Sequence, residues 1–271
     1  MIHAAFHTLA WGLIAVLVWS ITHVQPPAAR GPMVAVADVD DSTYLISHHQ
    51  EAGPGFGLLN VTDEGVRYRS LKLEDWESVL MGRVLATCGV INYPGEVLLL
   101  VDNQGAQKLV HLQLRNWNKT PKSTVLGAIS LPEAWSTIAC GGATKTSLEV
   151  WASADGQDLR SMQLEIPSYE LSEVGRHLPL PAFGEGQLTA LYVGQGHIWA
   201  SAASEFGSRL WQVAVGRQKW RESYHIDGFN VVGLAAGRAQ GAVSMISDDT
   251  LPGSAWRPLP PLEATEAAVQ N

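Results

Sequence analysis

The chain has 271 residues, 46% of them hydrophobic and 16% charged, with 26 Gly, 10 Trp and 2 Cys. That apolar content excludes a disordered chain, and two cysteines exclude a disulfide-scaffold miniprotein. A formal net charge of −8 argues against a nucleic-acid partner, because the surface repels phosphate.

The charge is unevenly placed, and the first charged side chain is Arg30. Residues 4–24 form one apolar run broken only by His7, Thr8, Ser20, Thr22 and His23. As a helix this run spans roughly 31 Å, at about 1.5 Å per residue, which matches the hydrocarbon core of a bilayer. The expectation is a transmembrane anchor over residues 1–25, with Trp11, Leu13, Ile14, Val16, Leu17, Val18, Trp19 and Ile21 as its membrane-facing residues. His7 and His23 lie near the ends of the run, where a polar ring reaches the headgroups. A Pro-rich linker follows over residues 26–32. A cleaved signal peptide is the competing reading, since Ala35, Val36 and Ala37 resemble a small-residue cleavage site. Against it, no Lys or Arg precedes the run, and the run exceeds the ~7 to 15 residues of a signal-peptide core. A retained, single-pass anchor with the rest of the chain periplasmic or extracellular is therefore preferred.

Beyond the linker the pattern changes to short β-rich runs separated by turn residues. Five similar units are legible. Each opens on a small, apolar segment: residues 34–37, 84–89, 137–141, 190–194 and 232–237. With Val36, Ala86, Ala139, Tyr192 and Ala235 taken as equivalent, the spacings are 50, 53, 53 and 43 residues. Second strands are expected at 44–47, 97–101, 150–153, 198–201 and 243–246. Gly-containing turns follow, then third strands at 58–61, 109–112, 162–165, 210–213 and near Trp256. Looser fourth strands are read at 66–73, 124–130, near 174–178 and at 223–226.

Three to four antiparallel strands repeated at about 50 residues resemble the five-bladed layout of the β-propeller superfamily. A β-sandwich leaves five small-residue openings at a common period unexplained. The resemblance implies an all-β propeller over residues 33–262, with a tail at 263–271. Small opening segments suit innermost strands that crowd around an axis, and Trp151, Trp199 and Trp211 suit the wider gaps between blades. A strand near Met33 is expected to complete the last blade and close the ring.

Chemistry is harder to find. Asp38, Asp40 and Asp41 follow the first opening strand, where five-bladed propeller glycosidases place a catalytic carboxylate. The matching strands of the other units carry no acid, so a glycosidase is the third-ranked reading. Glu96 and Glu149 share a repeat position at the start of second strands. Cys88 and Cys140 lie 52 residues apart at nearly the same repeat position, and are expected as small buried core residues rather than a disulfide. No metal site and no cofactor are expected.

The leading expectation is a non-catalytic, membrane-anchored propeller that docks on a larger membrane protein complex, as an accessory subunit of a respiratory or photosynthetic assembly does. Its partners are then an integral membrane complex and the lipid bilayer. Trp76, Trp117 and Trp220 lie outside the repeated second strands and are the candidate partner-binding residues. A lectin-like carbohydrate-binding propeller is the second reading.

Overall fold

The computed structural model describes residues 33–50, 53–71, 82–154, 156–184, 186–237, 243–248 and 256–259. The chain divides into compact units at residues 1–30 and 31–271, and every described residue belongs to the second. The expected anchor, linker and tail, and Trp76, lie outside the described residues.

Every regular element among the described residues is a β-strand. The first sheet holds β1 (Met33–Asp40), β2 (Thr43–Gln50), β3 (Gly53–Thr62) and β4 (Gly65–Leu71) in that order. The second holds β5 (Arg83–Gly89), β6 (Glu96–Asn103), β7 (Ala106–Arg115) and β8 (Lys122–Ser130). The third holds β9 (Thr137–Ala143), β10 (Ser147–Ser153), β11 (Asp158–Glu165) and β12 (Leu171–Pro179). The fourth holds β13 (Gln187–Gly194), β14 (His197–Ser204), β15 (Gly207–Ala214) and β16 (Arg221–Asp227). The fifth holds β17 (Val231–Ala236), β18 (Val243–Ser247) and β19 (Trp256–Pro258). All pairings are antiparallel between chain neighbours.

The first strand of each sheet packs on the first strands of two other sheets, in the closed order β1, β5, β9, β13, β17 and back to β1. The chain is a five-bladed β-propeller. The strand that begins at Met33 is the innermost strand of the first blade and does not complete the fifth. The ring closes because β1 packs directly on β17, with no strand shared between first and last blades among the described residues.

Crowding at the axis explains the small residues of the opening strands. A Cβ on Gly233 of β17 would lie 2.4 Å from Val36 Cγ2, and one on Gly89 of β5 would lie 2.3 Å from the carbonyl oxygen of Asp38. Neither approach tolerates a side chain.

The cores lie between blades, one per seam. Leu45 of β2 and Leu99 of β6 meet in the seam between blades one and two, while Tyr44 and Ile46 of β2 face blade five. Leu98 and Leu100 face blade three. Both faces of a blade are thus covered, so the second strands read as continuous apolar runs instead of alternating. Trp151 lies in the seam between blades three and four and Trp199 in that between four and five, while Trp211 meets Phe183 edge-on at 5.0 Å.

Candidate functional site

Side chains of a strand alternate between faces, so along each innermost strand one position faces the following blade and the next faces the preceding one. Pairing places Asp38, Gly89, Cys140, Val193 and Ala236 at one register position, each opposite the same point of its second strand. The residues just before them are Ala37, Cys88, Ala139, Tyr192 and Ala235, so the true equivalents of the first two units are Ala37 and Cys88, not Val36 and Ala86. These five pack into the seam with the following blade. Cys140 and Val193 pack into the seam with the preceding one.

This alternation overturns the expected free cysteines. Cys88 and Cys140 form a disulfide with Cα atoms 5.4 Å apart. Equivalent positions would point the same way around the ring. A one-residue offset instead aims Cys88 forward and Cys140 back, into one seam.

Asp38 occupies the corresponding backward position of blade one and so faces blade five. Its Oδ1 accepts a hydrogen bond from the Ala236 backbone N–H at 2.9 Å, and the Tyr44 hydroxyl donates to the Ala236 carbonyl at 2.9 Å. Both backbone groups at the end of β17 are therefore satisfied by side chains of blade one. Burial pushes the Asp38 carboxyl up to about 7; the Ala236 hydrogen bond opposes that rise and the charge of Asp41 adds to it. Burial also raises the Tyr44 hydroxyl, and it raises Tyr192 of blade four, with the Asp38 charge contributing to both.

Asp40 goes elsewhere. A register shift between Asp38 and Asp40 marks a bulge, and Asp40 turns toward blade two. Its Oδ1 accepts from the Ser42 backbone N–H and hydroxyl, and its Oδ2 accepts from Trp117 Nε1 at 2.6 Å. Burial opposes ionisation here too, but the bonds from Ser42 and Trp117 outweigh it and hold the carboxyl below its usual value. Asp41 sits exposed in the turn. The two partly buried acids thus lie on opposite faces of the first blade, and only Asp38 lines the axial channel. Its mouth there is walled by Ala37, Cys88, Cys140, Leu191, Tyr192 and Leu234 among others.

Trp117 and Trp220 are half-buried, and both indole N–H groups are engaged. Trp117 lies over Gly95 and packs against the seam between blades one and two, and Trp220 Nε1 donates to the Pro179 carbonyl at 2.6 Å in the seam between blades three and four.

Sequence spacing did bring Glu96 and Glu149 to one position, facing Gln113 and Gln163 respectively. Their surroundings differ. Glu149 accepts from the Ser161 hydroxyl and from Arg176. Glu96 Oε2 lies 3.1 Å from Nε2 of buried His111, whose Nδ1 lies 3.1 Å from the Tyr169 hydroxyl. Burial lowers the His111 pKa, against the pull of Glu96, and keeps the ring neutral near pH 7. A carboxylate only accepts, so Nε2 carries the proton and Nδ1 accepts from Tyr169. Tyr169 comes from the β11–β12 turn of the next blade and reaches His111 because Gly127 has no side chain: a Cβ there would lie 2.1 Å from the phenol ring. No sequence signal marked this bridge. Tyr169→Phe leaves the buried Nδ1 unpaired, and a loss of about 1–2 kcal/mol in denaturant unfolding is expected. Unchanged stability would show that the hydrogen bond contributes nothing.

Among the described residues, no group of three or more His, Cys, Asp or Glu side chains is placed to hold a metal ion. No protein-family model matches the chain, and no curated protein matches it. Among solved structures it is similar to a protein of unknown function from Bacteroides thetaiotaomicron, with a TM-score of 0.53 at 11% identity over 86% of this chain and 70% of that one. An alpha-L-arabinofuranosidase from Podospora anserina, in complex with cellotriose, gives 0.45 at 12% identity over 86% and 91%. The PQQ-bound form of an aldose sugar dehydrogenase from Streptomyces coelicolor gives 0.46 at 10% identity over 81% and 89%. Identities this low speak to fold alone.

Proposed function

We propose that the chain is a non-catalytic, membrane-tethered propeller that docks on a larger membrane protein complex. The observation that carries this reading is the separation of the acids: Asp38 is committed to blade five and Asp40 to Trp117 of blade two, so they do not face one bond as hydrolysis of a sugar linkage requires. Function then falls to the outer surface and loops, as on other rigid scaffolds. Trp117 and Trp220 keep part of their rings open there, and Phe206 in the β14–β15 turn is 71% exposed.

Two features support the tether and its side of the membrane. The uncharged run at residues 4–24 has bilayer length. The Cys88–Cys140 bond suits an oxidising compartment, which favours a periplasmic or extracellular propeller. Tethering confines the propeller to the bilayer surface, which raises its effective concentration for a membrane partner, so a modest contact area suffices. Washing membranes with alkaline carbonate tests the tether. The chain is expected in the pellet with integral proteins, and its release into the wash would overturn the anchored reading.

A further inference from the structure

Because consecutive strands run antiparallel, the first-to-second and third-to-fourth turns of every blade lie on one rim of the ring, the rim at which β1 ends. On that rim the third-to-fourth turns alternate in charge. Counted with the strand residue on either side, the turn of blade one holds Asp63 and Glu64, and that of blade two holds Arg115, Lys119 and Lys122. Blade three holds Glu165 and Glu170, and blade four holds Arg217, Lys219 and Arg221. The formal charges are therefore −2, +3, −2 and +3, while blade five has no such turn among the described residues.

Ring neighbours do not use up this pattern. Among the described residues Lys119, Lys122, Arg217, Lys219 and Glu170 are exposed and form no ion pair, and the pair of Glu64 with Arg67 stays inside blade one. Where Arg69 of blade one reaches the turn of blade two, it donates to the Lys119 backbone carbonyl at 2.7 Å and meets no acid. A uniformly anionic surface, such as a lipid headgroup layer, is repelled by two of the four turns, and a uniformly cationic one by the other two. A fitting partner must itself alternate.

We propose that this rim pairs with the same rim of a second copy. A two-fold axis in the plane of the ring reverses the order of the blades, so each blade faces the one that mirrors it across the axis. With the axis through blade five, blade one meets blade four of the second copy, and blade two meets blade three. All four charged turns then face the opposite sign, and blade five meets itself. Of the registers that set blade on blade, each of the others runs its axis through a charged blade and sets that blade against its own copy. The alternation thus selects one register. Exposed ion pairs contribute little singly, so the association is modest and rests on the four contacts together. Val215, 42% exposed in the turn of blade four, and half-buried Trp117 and Trp220 in the two basic turns add apolar area. Phe206 lies in a second-to-third turn on the opposite rim, which stays free for a membrane partner.

The test is sedimentation equilibrium of the purified full chain in detergent with no other protein present, so that its outcome is separate from docking on a complex. Wild type is expected to dimerise near physiological salt and to dissociate as salt is raised. Arg217→Glu with Lys219→Glu reverses blade four, and Asp63→Lys with Glu64→Lys reverses blade one; all four side chains are exposed. Each double variant sets like charges together and should weaken self-association by at least about tenfold. An equimolar mixture of the two should recover the wild-type affinity, because reversed blade four of one meets reversed blade one of the other. Mixing the blade-four variant with Lys119→Glu, Lys122→Glu should not, since that register leaves two like-charged contacts. A wild type that stays monomeric up to roughly 100 µM, self-association unchanged by reversing blade four, or a mixture of blade-one and blade-four variants no tighter than either alone would each overturn the proposal.

Discussion

Asp38→Asn is expected to raise the melting temperature at pH 8 and to leave it nearly unchanged at pH 4. The wild-type carboxyl ionises at about 7 in the folded chain and near 3.8 when unfolded. A folded pKa above the unfolded value means that the unfolded chain releases its proton first. The stability contribution of protonated Asp38 is therefore fully present below about pH 4, and it is lost as pH rises toward and through 7. At about 1.4 kcal/mol per pKa unit the full loss approaches about 4 kcal/mol, and relaxation at a partly exposed site brings it nearer 2. Asparagine keeps an oxygen to accept the Ala236 N–H and carries no charge, so the variant should escape the loss. For a domain of this size a gain of about 2 kcal/mol corresponds to roughly 4–8 °C. A variant that melts lower than wild type at pH 8, or a wild type whose stability does not fall between pH 4 and pH 7, would show that Asp38 is not held as the closing seam implies.

Removing the disulfide should act with comparable size and in the opposite direction. The bond joins residues 52 apart and closes most of a blade into a loop. In the chain-entropy account, opening a loop of that length restores about 4 kcal/mol of freedom to the unfolded state. Cys88→Ala with Cys140→Ala should lower the denaturation midpoint at pH 7, and adding reductant should move wild type to the same midpoint without affecting the double variant. Both cysteines are small and buried, so alanine leaves little empty space and the comparison isolates the crosslink. A wild type insensitive to reductant under unfolding conditions would contradict the bond.

These two results concern neighbouring register positions, and they show what sequence reading reaches. The blades were legible because each innermost strand must be small where β1, β5, β9, β13 and β17 abut, and because second strands such as β6 are apolar on both faces. Repetition made both visible. The seams were not legible, because what crosses them depends on single-residue register. Taken as near-equivalent repeat positions, Cys88 and Cys140 look parallel, whereas pairing through Val97 and Val150 sets Cys140 level with Gly89, one residue beyond Cys88, and that single-residue offset turns the two toward each other. The Asp38–Asp40 bulge has the same effect, sending two acids that are adjacent in the sequence pattern to opposite blades. Contacts such as Asp40 with Trp117, separated by 77 residues, or His111 with Tyr169, separated by 58, leave no periodic trace. Trp117 could be singled out as a non-repeating aromatic, but its bond to Asp40 depends on the bulge that turns Asp40 toward blade two.

Docking on a membrane complex is tested most directly by extracting the full chain from its native membranes in mild detergent and identifying what elutes with it by size and mass spectrometry. Elution is expected as part of an assembly several times larger than the 29.2 kDa chain, with integral membrane proteins at fixed ratio and with residues 4–24 present in the recovered peptides. A clean monomer in the same extract would contradict it.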